Sequence, residues 1–218
     1  MARYLGTVLI ATDDERISEE ARRFGARAVM TRADHISGTD RVAEVASAFA
    51  DAELVVNIQG DEPMIDPAAI DAAVLPLLDE PSIPMGTLKK RIEMAGEIAD
   101  PNVVKVVTNR FENAIYFSRA TIPFARDAAA GDTKAASHYK HIGLYVYRRD
   151  FLLRYPDLPV GPLERAEKLE QLRALENGFA IRVVETDYES LGVDTPADLE
   201  RVREMFRAGR EAVQVTHG

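Results

Sequence analysis

Two carboxylates, Asp61 and Glu62, stand at the end of a run that reads Val55-Val56-Asn57-Ile58-Gln59-Gly60-Asp61-Glu62-Pro63. The run opens on apolar, β-branched residues, and Pro63 forbids further ladder hydrogen bonding. It reads as a buried strand that delivers the two acids to its carboxyl end, where open α/β sheets bind their ligands. Gly60 permits a tight turn and a close approach of ligand to backbone. A carboxylate in that place suits a hard divalent cation, which in turn holds phosphate; the plainer alternative is an acidic turn after a strand. Asp194 closes Leu191-Gly192-Val193-Asp194 just before a helix start. Alone it is a loop carboxylate; with Asp61 it makes a pair that can share magnesium together with substrate phosphates, for phosphoryl or nucleotidyl transfer.

Arg32, Arg41, Arg119 and Arg126 fall in or beside loops. Solvated charge is the ordinary fate of such arginines, and bidentate binding of carboxylate or phosphate is the functional one. Arg119 has the better claim, set among the apolar neighbours of Phe117-Ser118-Arg119-Ala120-Thr121-Ile122-Pro123. His141 opens a strand near His138 and Lys140, without metal-ligand spacing. A helix is expected from Pro162 to about Asn177, closed by Gly178; on it Glu164, Glu167 and Gln171 share one face that reads as solvated, with Glu164 and Lys168 as a helix ion pair.

The elements that must carry these residues alternate. Thr7–Thr12 reads as a buried strand, stopped by Asp13-Asp14, which cap a helix from Glu15 to Phe24 with Gly25 behind it. Ala28–Thr31 is a second strand, followed by the loop from Arg32 to Asp40 and a helix carrying Val42, Val45, Ala46 and Phe49. Strand, helix, strand, helix, strand within sixty residues implies parallel strands with helices on their faces. Asp66-Pro67 starts another helix, and Pro84–Leu88 is a strand. A hairpin follows, Val103–Thr108 and Ala114–Phe117, and then a strand from His141 to Tyr147. Ile181–Glu185 is the last strand, and Thr195-Pro196 caps the last helix. Residues 131–137 read as the flexible loop and 209–218 as a frayed tail.

The chain has 218 residues, 46% hydrophobic and 29% charged, which suits one globular domain over residues 1–208. A net charge of −9 excludes a general nucleic-acid binder, though not a locally basic nucleotide site. The absence of cysteine removes disulfides, thiolate zinc and a cysteine nucleophile. No apolar run reaches membrane-spanning length and no signal-peptide pattern opens the chain, so a cytoplasmic location without membrane contact is the expectation.

A set of motifs runs in order along the chain: Thr31-Arg32-Ala33-Asp34-His35 with Ser37-Gly38-Thr39, Asn57-Ile58-Gln59-Gly60-Asp61-Glu62-Pro63, Asn102-Val103-Val104-Lys105-Val106-Val107 and Tyr116 to Pro123. His141-Ile142-Gly143-Leu144-Tyr145, Pro162-Leu163-Glu164 with Leu169-Glu170-Gln171-Leu172-Arg173, and Gly192-Val193-Asp194-Thr195-Pro196 continue it. Taken together, these motifs resemble the 3-deoxy-manno-octulosonate (Kdo) cytidylyltransferases. The resemblance runs from about Thr7 to Arg203, and the ordered set is specific where any one motif is weak.

It implies an α/β nucleotide-diphospho-sugar transferase fold. The sheet would be mostly parallel and flanked by helices, with a small β-rich subdomain within residues 84–160 serving dimerisation and sugar binding. The implied reaction is CTP plus Kdo giving CMP-Kdo and pyrophosphate, for lipopolysaccharide synthesis, with Mg2+ and as a homodimer. Carried over residue by residue, Asp61 and Asp194 bind magnesium and count as catalytic with Arg119. Gln59, Arg119, Arg126, His141, Tyr145, Glu170 and Gln171 line the sugar-acid site. Thr12, Asp13, Arg32, Ser37, Gly38, Arg41 and Gly60 approach the nucleotide. Sialate activation uses a similar architecture, but the motifs from His141 to Tyr145 and at Glu170-Gln171 favour Kdo.

One departure stands out. The family opens with a strand, then an arginine- and serine-rich loop bearing a lysine, then a helix. This chain begins Met1-Ala2-Arg3-Tyr4-Leu5-Gly6, and its first lysine is Lys89. The expectation is therefore an N-terminal truncation or misplaced start, with little activity in the chain as written. The competing reading is a catalytically silent fragment that dimerises or binds Kdo.

Overall fold

The computed structural model describes residues 2–126, 136–189, 191–193 and 195–215, with side chains through residue 207. Eight strands are present among them: β1 Ile10–Thr12, β2 Ala28–Met30, β3 Leu54–Ile58, β4 Met85–Arg91, β5 Lys105–Thr108, β6 Ala114–Ser118, β7 Tyr139–Arg148 and β8 Ile181–Glu185. The helices are α1 Glu15–Arg23, α2 Gly38–Ser47, α3 Pro67–Asp79, α4 Ala95–Ala99, α5 Arg149–Arg154, α6 Pro162–Glu167, α7 Leu172–Glu176 and α8 Pro196–Val215.

β1 and β2 pair in parallel as a separate two-stranded sheet. The main sheet runs β6-β5-β7-β4-β8, and β3 pairs along the other side of β7. β3, β4 and β5 are each antiparallel to β7, and β8 is parallel to β4. Four strands therefore share one direction, with β7 and β6 running against them. β7 alternates, as its sequence pattern predicts. Ile142, Leu144 and Val146 pack on α3, while Tyr145 and Tyr147 pack with α2, α5 and α7 on the opposite face. At Gly86 in β4 an added Cβ would stand 2.7 Å from Leu77 of α3, so helix and sheet approach closely where no side chain intervenes.

One irregularity shapes the site. Thr87 of β4 lies opposite Tyr145, but its neighbour Leu88 lies opposite Ile142. Gly143 and Leu144 are thus extra residues on β7, a bulge that bends the strand where it passes the end of β3.

Several caps follow the sequence. Asp14 accepts the Arg16 amide at 2.8 Å, Asp66 accepts that of Ala68 at 2.8 Å, and Thr195 accepts that of Asp198 at 3.2 Å. Gly25 and Gly178 take positive φ, as helix-ending glycines do.

Three expectations are corrected. The first strand begins at Ile10 rather than Thr7, because among the described residues its ladder partner is β2 alone; Val8 is left 72% exposed. The helix expected over 162–177 is two helices, broken where Lys168 adopts a left-handed conformation (φ 56°). The break is stabilised from outside it: the Glu176 carboxylate accepts the Leu163 and Glu164 amides at 2.9 and 3.0 Å, capping α6 from the far end of α7. With the helix broken, Glu164 is not a solvated partner of Lys168. It is buried and binds Arg173 through two bonds of 2.9 and 2.7 Å. The backbone of α8 is helical through Val215. Residues 131–135 of the loop expected to be flexible lie outside the described residues.

Candidate active site

The β7 bulge draws three of the expected sugar-site residues together. The His141 and Tyr145 rings, four residues apart on one strand, have centroids only 5.3 Å apart. A regular strand would separate those positions by roughly 13 Å. Gln59 follows β3 directly, and its Nε2 lies 3.8 Å from where a Cβ on Gly143, the residue midway in sequence between His141 and Tyr145, would stand. The row continues to Phe117 on one side, edge-on to His141 at 5.1 Å, and to Tyr147 on the other at 6.0 Å. Thr87 sits inside the bulge, fully buried, its hydroxyl 2.7 Å from the Leu144 carbonyl, 3.2 Å from that of Ile142 and 3.0 Å from His141 Nε2. The His141 side chain keeps partial exposure, yet the dense packing around it pushes its pKa down to about 3, so the ring is neutral at physiological pH. Burial likewise raises the Tyr145 hydroxyl well above its ordinary value, with Tyr147 and Glu170 adding to the effect.

Arg119 is wired into the main chain. Its Nε donates to the Glu167 carbonyl at 2.9 Å and its Nη1 to that of Pro101 at 3.0 Å. Its amide donates to the Glu167 carboxylate at 2.9 Å, which also accepts from Ser118 Oγ at 2.6 Å and Tyr116 hydroxyl at 3.3 Å. Burial works to raise the Glu167 pKa, but these hydrogen bonds outweigh it and hold the carboxyl below its usual value. Beneath lies Lys105, fully buried, whose ammonium donates to the carbonyls of Asp100 (2.8 Å), Val103 (2.6 Å) and Arg119 (2.6 Å).

The turn between α6 and α7 carries Glu170 and Gln171. The Tyr155 hydroxyl holds the Glu170 carbonyl at 2.7 Å, and Gln171 is buried. The Glu170 side chain turns toward the start of α2 and comes close to Ser37 and Thr39, with its Oε1 buried and without a hydrogen-bond partner among the described residues. Burial raises its pKa against the lowering effect of those two hydroxyls. Ser37 itself caps α2, accepting the Asp40 amide at 3.1 Å, and Gly38 is the first residue of that helix. Thus Glu170 joins the sugar-site turn to the loop expected to meet nucleotide.

Among the other expected nucleotide residues, Arg41 is the hub. Its Nη1 lies 3.1 Å from Asp13 and 2.6 Å from Thr31 Oγ1. Thr12 is buried, its hydroxyl accepting the Asp14 amide at 3.1 Å. Arg32 is exposed and pairs with Glu44, which also binds His35. Between this group and Asp61 there is no hydrogen bond or ion pair among the described residues.

Asp61 sits exposed in the turn after β3, and no cation pairs with its carboxylate among the described residues. Its carbonyl accepts the Val193 amide at 2.9 Å, so the segment leading to position 194 docks on the Asp61 turn. Tyr188 in the same segment donates to Glu62 at 3.3 Å, and Glu189 is held by Lys90 and Lys140, each at 2.5 Å. Asp194 itself lies outside the described residues. Arg126 is exposed, with no contact drawing it to His141 or Tyr145 among them. Gly60 lies in the tight turn closed by the Glu62 amide on the Gln59 carbonyl at 3.1 Å; it does not take positive φ, and a Cβ there would meet open space.

A family profile described as cytidylyltransferase matches residues 2–186. The chain belongs to the cytidylyltransferase family. A relative from Solibacter usitatus (strain Ellin6076), named 3-deoxy-manno-octulosonate cytidylyltransferase, is 70% identical over 208 residues, covering 95% of this chain and 81% of that protein. One of the same name from Geobacter sulfurreducens is 55% identical, covering 94% and 84%. A solved CMP:2-keto-3-deoxy-manno-octonic acid synthetase, complexed with CTP, superimposes with a TM-score of 0.88 at 42% identity, covering 96% of this chain and 84% of the other. For this cytidylyltransferase family member, Thr87, Lys105 and Glu167 are the supporting residues that pattern reading missed. Only Lys105 carried a signal, as a cation inside the apolar run Val103 to Val107.

Proposed function

We propose that the chain transfers CMP from CTP to Kdo, releasing pyrophosphate, as the names of its close relatives indicate for them. The observation that carries this reading is the convergence of Gln59, His141 and Tyr145 at the bulge, with Asp61 two residues beyond Gln59. The anomeric hydroxyl of the sugar attacks the α-phosphorus in line, forming one P–O bond as the bond to the pyrophosphate oxygen breaks, and its proton leaves to solvent. Gln59 and neutral His141 hold sugar hydroxyls. Arg119 has Nε and Nη1 committed to carbonyls, so its Nη2 is the arm for the sugar carboxylate.

The donor set fits magnesium: Asp61 supplies an exposed hard-oxygen ligand that no cation occupies among the described residues, and Asp194 would be the second. Magnesium, when bound, neutralises triphosphate charge. A homodimer, a cytoplasmic location and a place in lipopolysaccharide synthesis belong to the same proposal; no helix among the described residues is long and apolar enough to cross a membrane.

The test is CMP-Kdo formation from CTP and Kdo by the full-length protein, with Asp61→Asn and Asp194→Asn beside it. Each variant should lose roughly 10²-fold or more in turnover, since charge stabilisation of this kind is worth that much. Near-normal turnover by both would remove the metal assignment, and preference for sialate over Kdo would change the sugar.

A further inference from the structure

We propose that Thr87 is a positioning residue of the sugar-acid site, whose hydroxyl fastens the β7 bulge and holds His141 with its proton on Nε2, leaving Nδ1 as the acceptor for a sugar hydroxyl. The inference rests on the proposed function for its ligand but not for its geometry. Thr87 is fully buried, and its hydroxyl meets three polar atoms: Leu144 O at 2.7 Å, Ile142 O at 3.2 Å and His141 Nε2 at 3.0 Å. A hydroxyl has one proton, and carbonyls can only accept. That proton goes to Leu144 O, the shortest contact. Were it given to Nε2 instead, two carbonyl oxygens would face the hydroxyl lone pairs with no hydrogen between them. The hydroxyl oxygen must therefore accept from Nε2–H, and a neutral imidazole protonated there has a bare Nδ1.

The same contacts explain how the site is built. The two carbonyls belong to the residues on either side of Gly143, the point where Gln59 lies over β7. The bulge is where the His141 and Tyr145 rings are brought within 5.3 Å. One hydroxyl thus serves both tasks, closing the bend that gathers the three side chains and fixing which imidazole nitrogen can accept. A threonine in a strand is ordinarily present for its β-propensity. Here the methyl is replaceable and the hydroxyl is not.

Two measurements test this. In protein labelled with 15N at histidine, long-range 1H–15N correlations report the tautomer directly. His141 in the unsubstituted protein should show protonated Nε2 and unprotonated Nδ1, and Thr87→Val should shift it to a mixture. The opposite tautomer in the unsubstituted protein, or no change in Thr87→Val, overturns the clamp, and the first of these needs no variant to fold. In the turnover assay with full-length protein, Thr87→Val should raise KM for Kdo about tenfold, the worth of one well-made hydrogen bond, with KM for CTP unchanged. Thr87→Ser should restore both the tautomer and the KM. An unchanged KM for Kdo, or equal rises for both substrates, contradicts the positioning role. If the unsubstituted protein makes no CMP-Kdo, the functional reading fails while the tautomer measurement still decides the clamp.

Discussion

Lys105→Met removes an ammonium and keeps a side chain of similar length and an apolar stem. Lys105 is fully buried, and its three N–H groups donate to Asp100, Val103 and Arg119 carbonyls at 2.8, 2.6 and 2.6 Å. Methionine leaves all three acceptors without that donor. A buried polar group left unsatisfied costs about 1–3 kcal/mol, and bonds to charged groups sit at the upper end. Two terms reduce the total. Burial already depresses the Lys105 pKa, chiefly by desolvation, so the ammonium's own burial cost disappears with it. Arg119 and its loop are only half-buried, so water can reach part of the vacated positions. A net loss of about 2–4 kcal/mol remains, which for a chain of this size lowers Tm by roughly 5–15 °C. The Arg119 carbonyl would be released together with the loop that holds its guanidinium, so KM for Kdo should rise as well. Thermal melts by circular dichroism, with urea unfolding as a second probe, measure the stability term. A Tm within about 2 °C of the unsubstituted protein would refute the reasoning, because the three bonds would then be worth nothing net.

Other consequences follow from buried charge and close approach. Arg173→Met strands the buried Glu164 carboxylate, now bound through two bonds of 2.9 and 2.7 Å, and should cost about 3–5 kcal/mol by urea unfolding; Glu164→Gln with Arg173→Met should recover part of it. Gly161→Ala places a Cβ 2.2 Å from the Glu176 carboxylate, a mobile group that can move aside only by releasing the first amides of α6, so the loss should be about 1 kcal/mol, and the change should be nearly silent when Glu176→Ala is already present. His141 has a folded pKa of about 3 against about 6.5 unfolded, so at intermediate pH only the unfolded chain takes the proton. Its contribution is complete above about pH 6.5 and is lost as pH falls toward 3; melts from pH 7.5 to 5 should therefore decline less steeply in His141→Gln than in the unsubstituted protein.

The strand leading to Gln59, the caps at Asp14, Asp66 and Thr195, and the two-faced pattern of β7 were all legible, because each depends on residues close in sequence. The break at Lys168 was not. Lysine is a good helix former, and what stabilises the break is Glu176, eight residues away. Nor was the bulge, which is defined by how β7 aligns with β4 more than fifty positions earlier, and no local pattern encodes such a register shift. The same reason hides Thr87 and Glu167. Both look like ordinary strand or helix-surface residues until the chain brings His141 to one and Arg119 to the other. Asp61 was expected in a turn after an apolar strand and stands there, exposed, with its carbonyl accepting the Val193 amide.

The most direct measurement of the central claim is product formation: full-length protein, CTP, Kdo and magnesium, with CMP-Kdo identified by mass spectrometry and pyrophosphate counted in parallel. CMP-Kdo and pyrophosphate should appear in equal amounts, require both substrates, stop on chelation of magnesium, and fall at least 10²-fold in Asp61→Asn. Undiminished formation by a well-folded Asp61→Asn protein, or no CMP-Kdo from a well-folded unsubstituted one, would contradict the account.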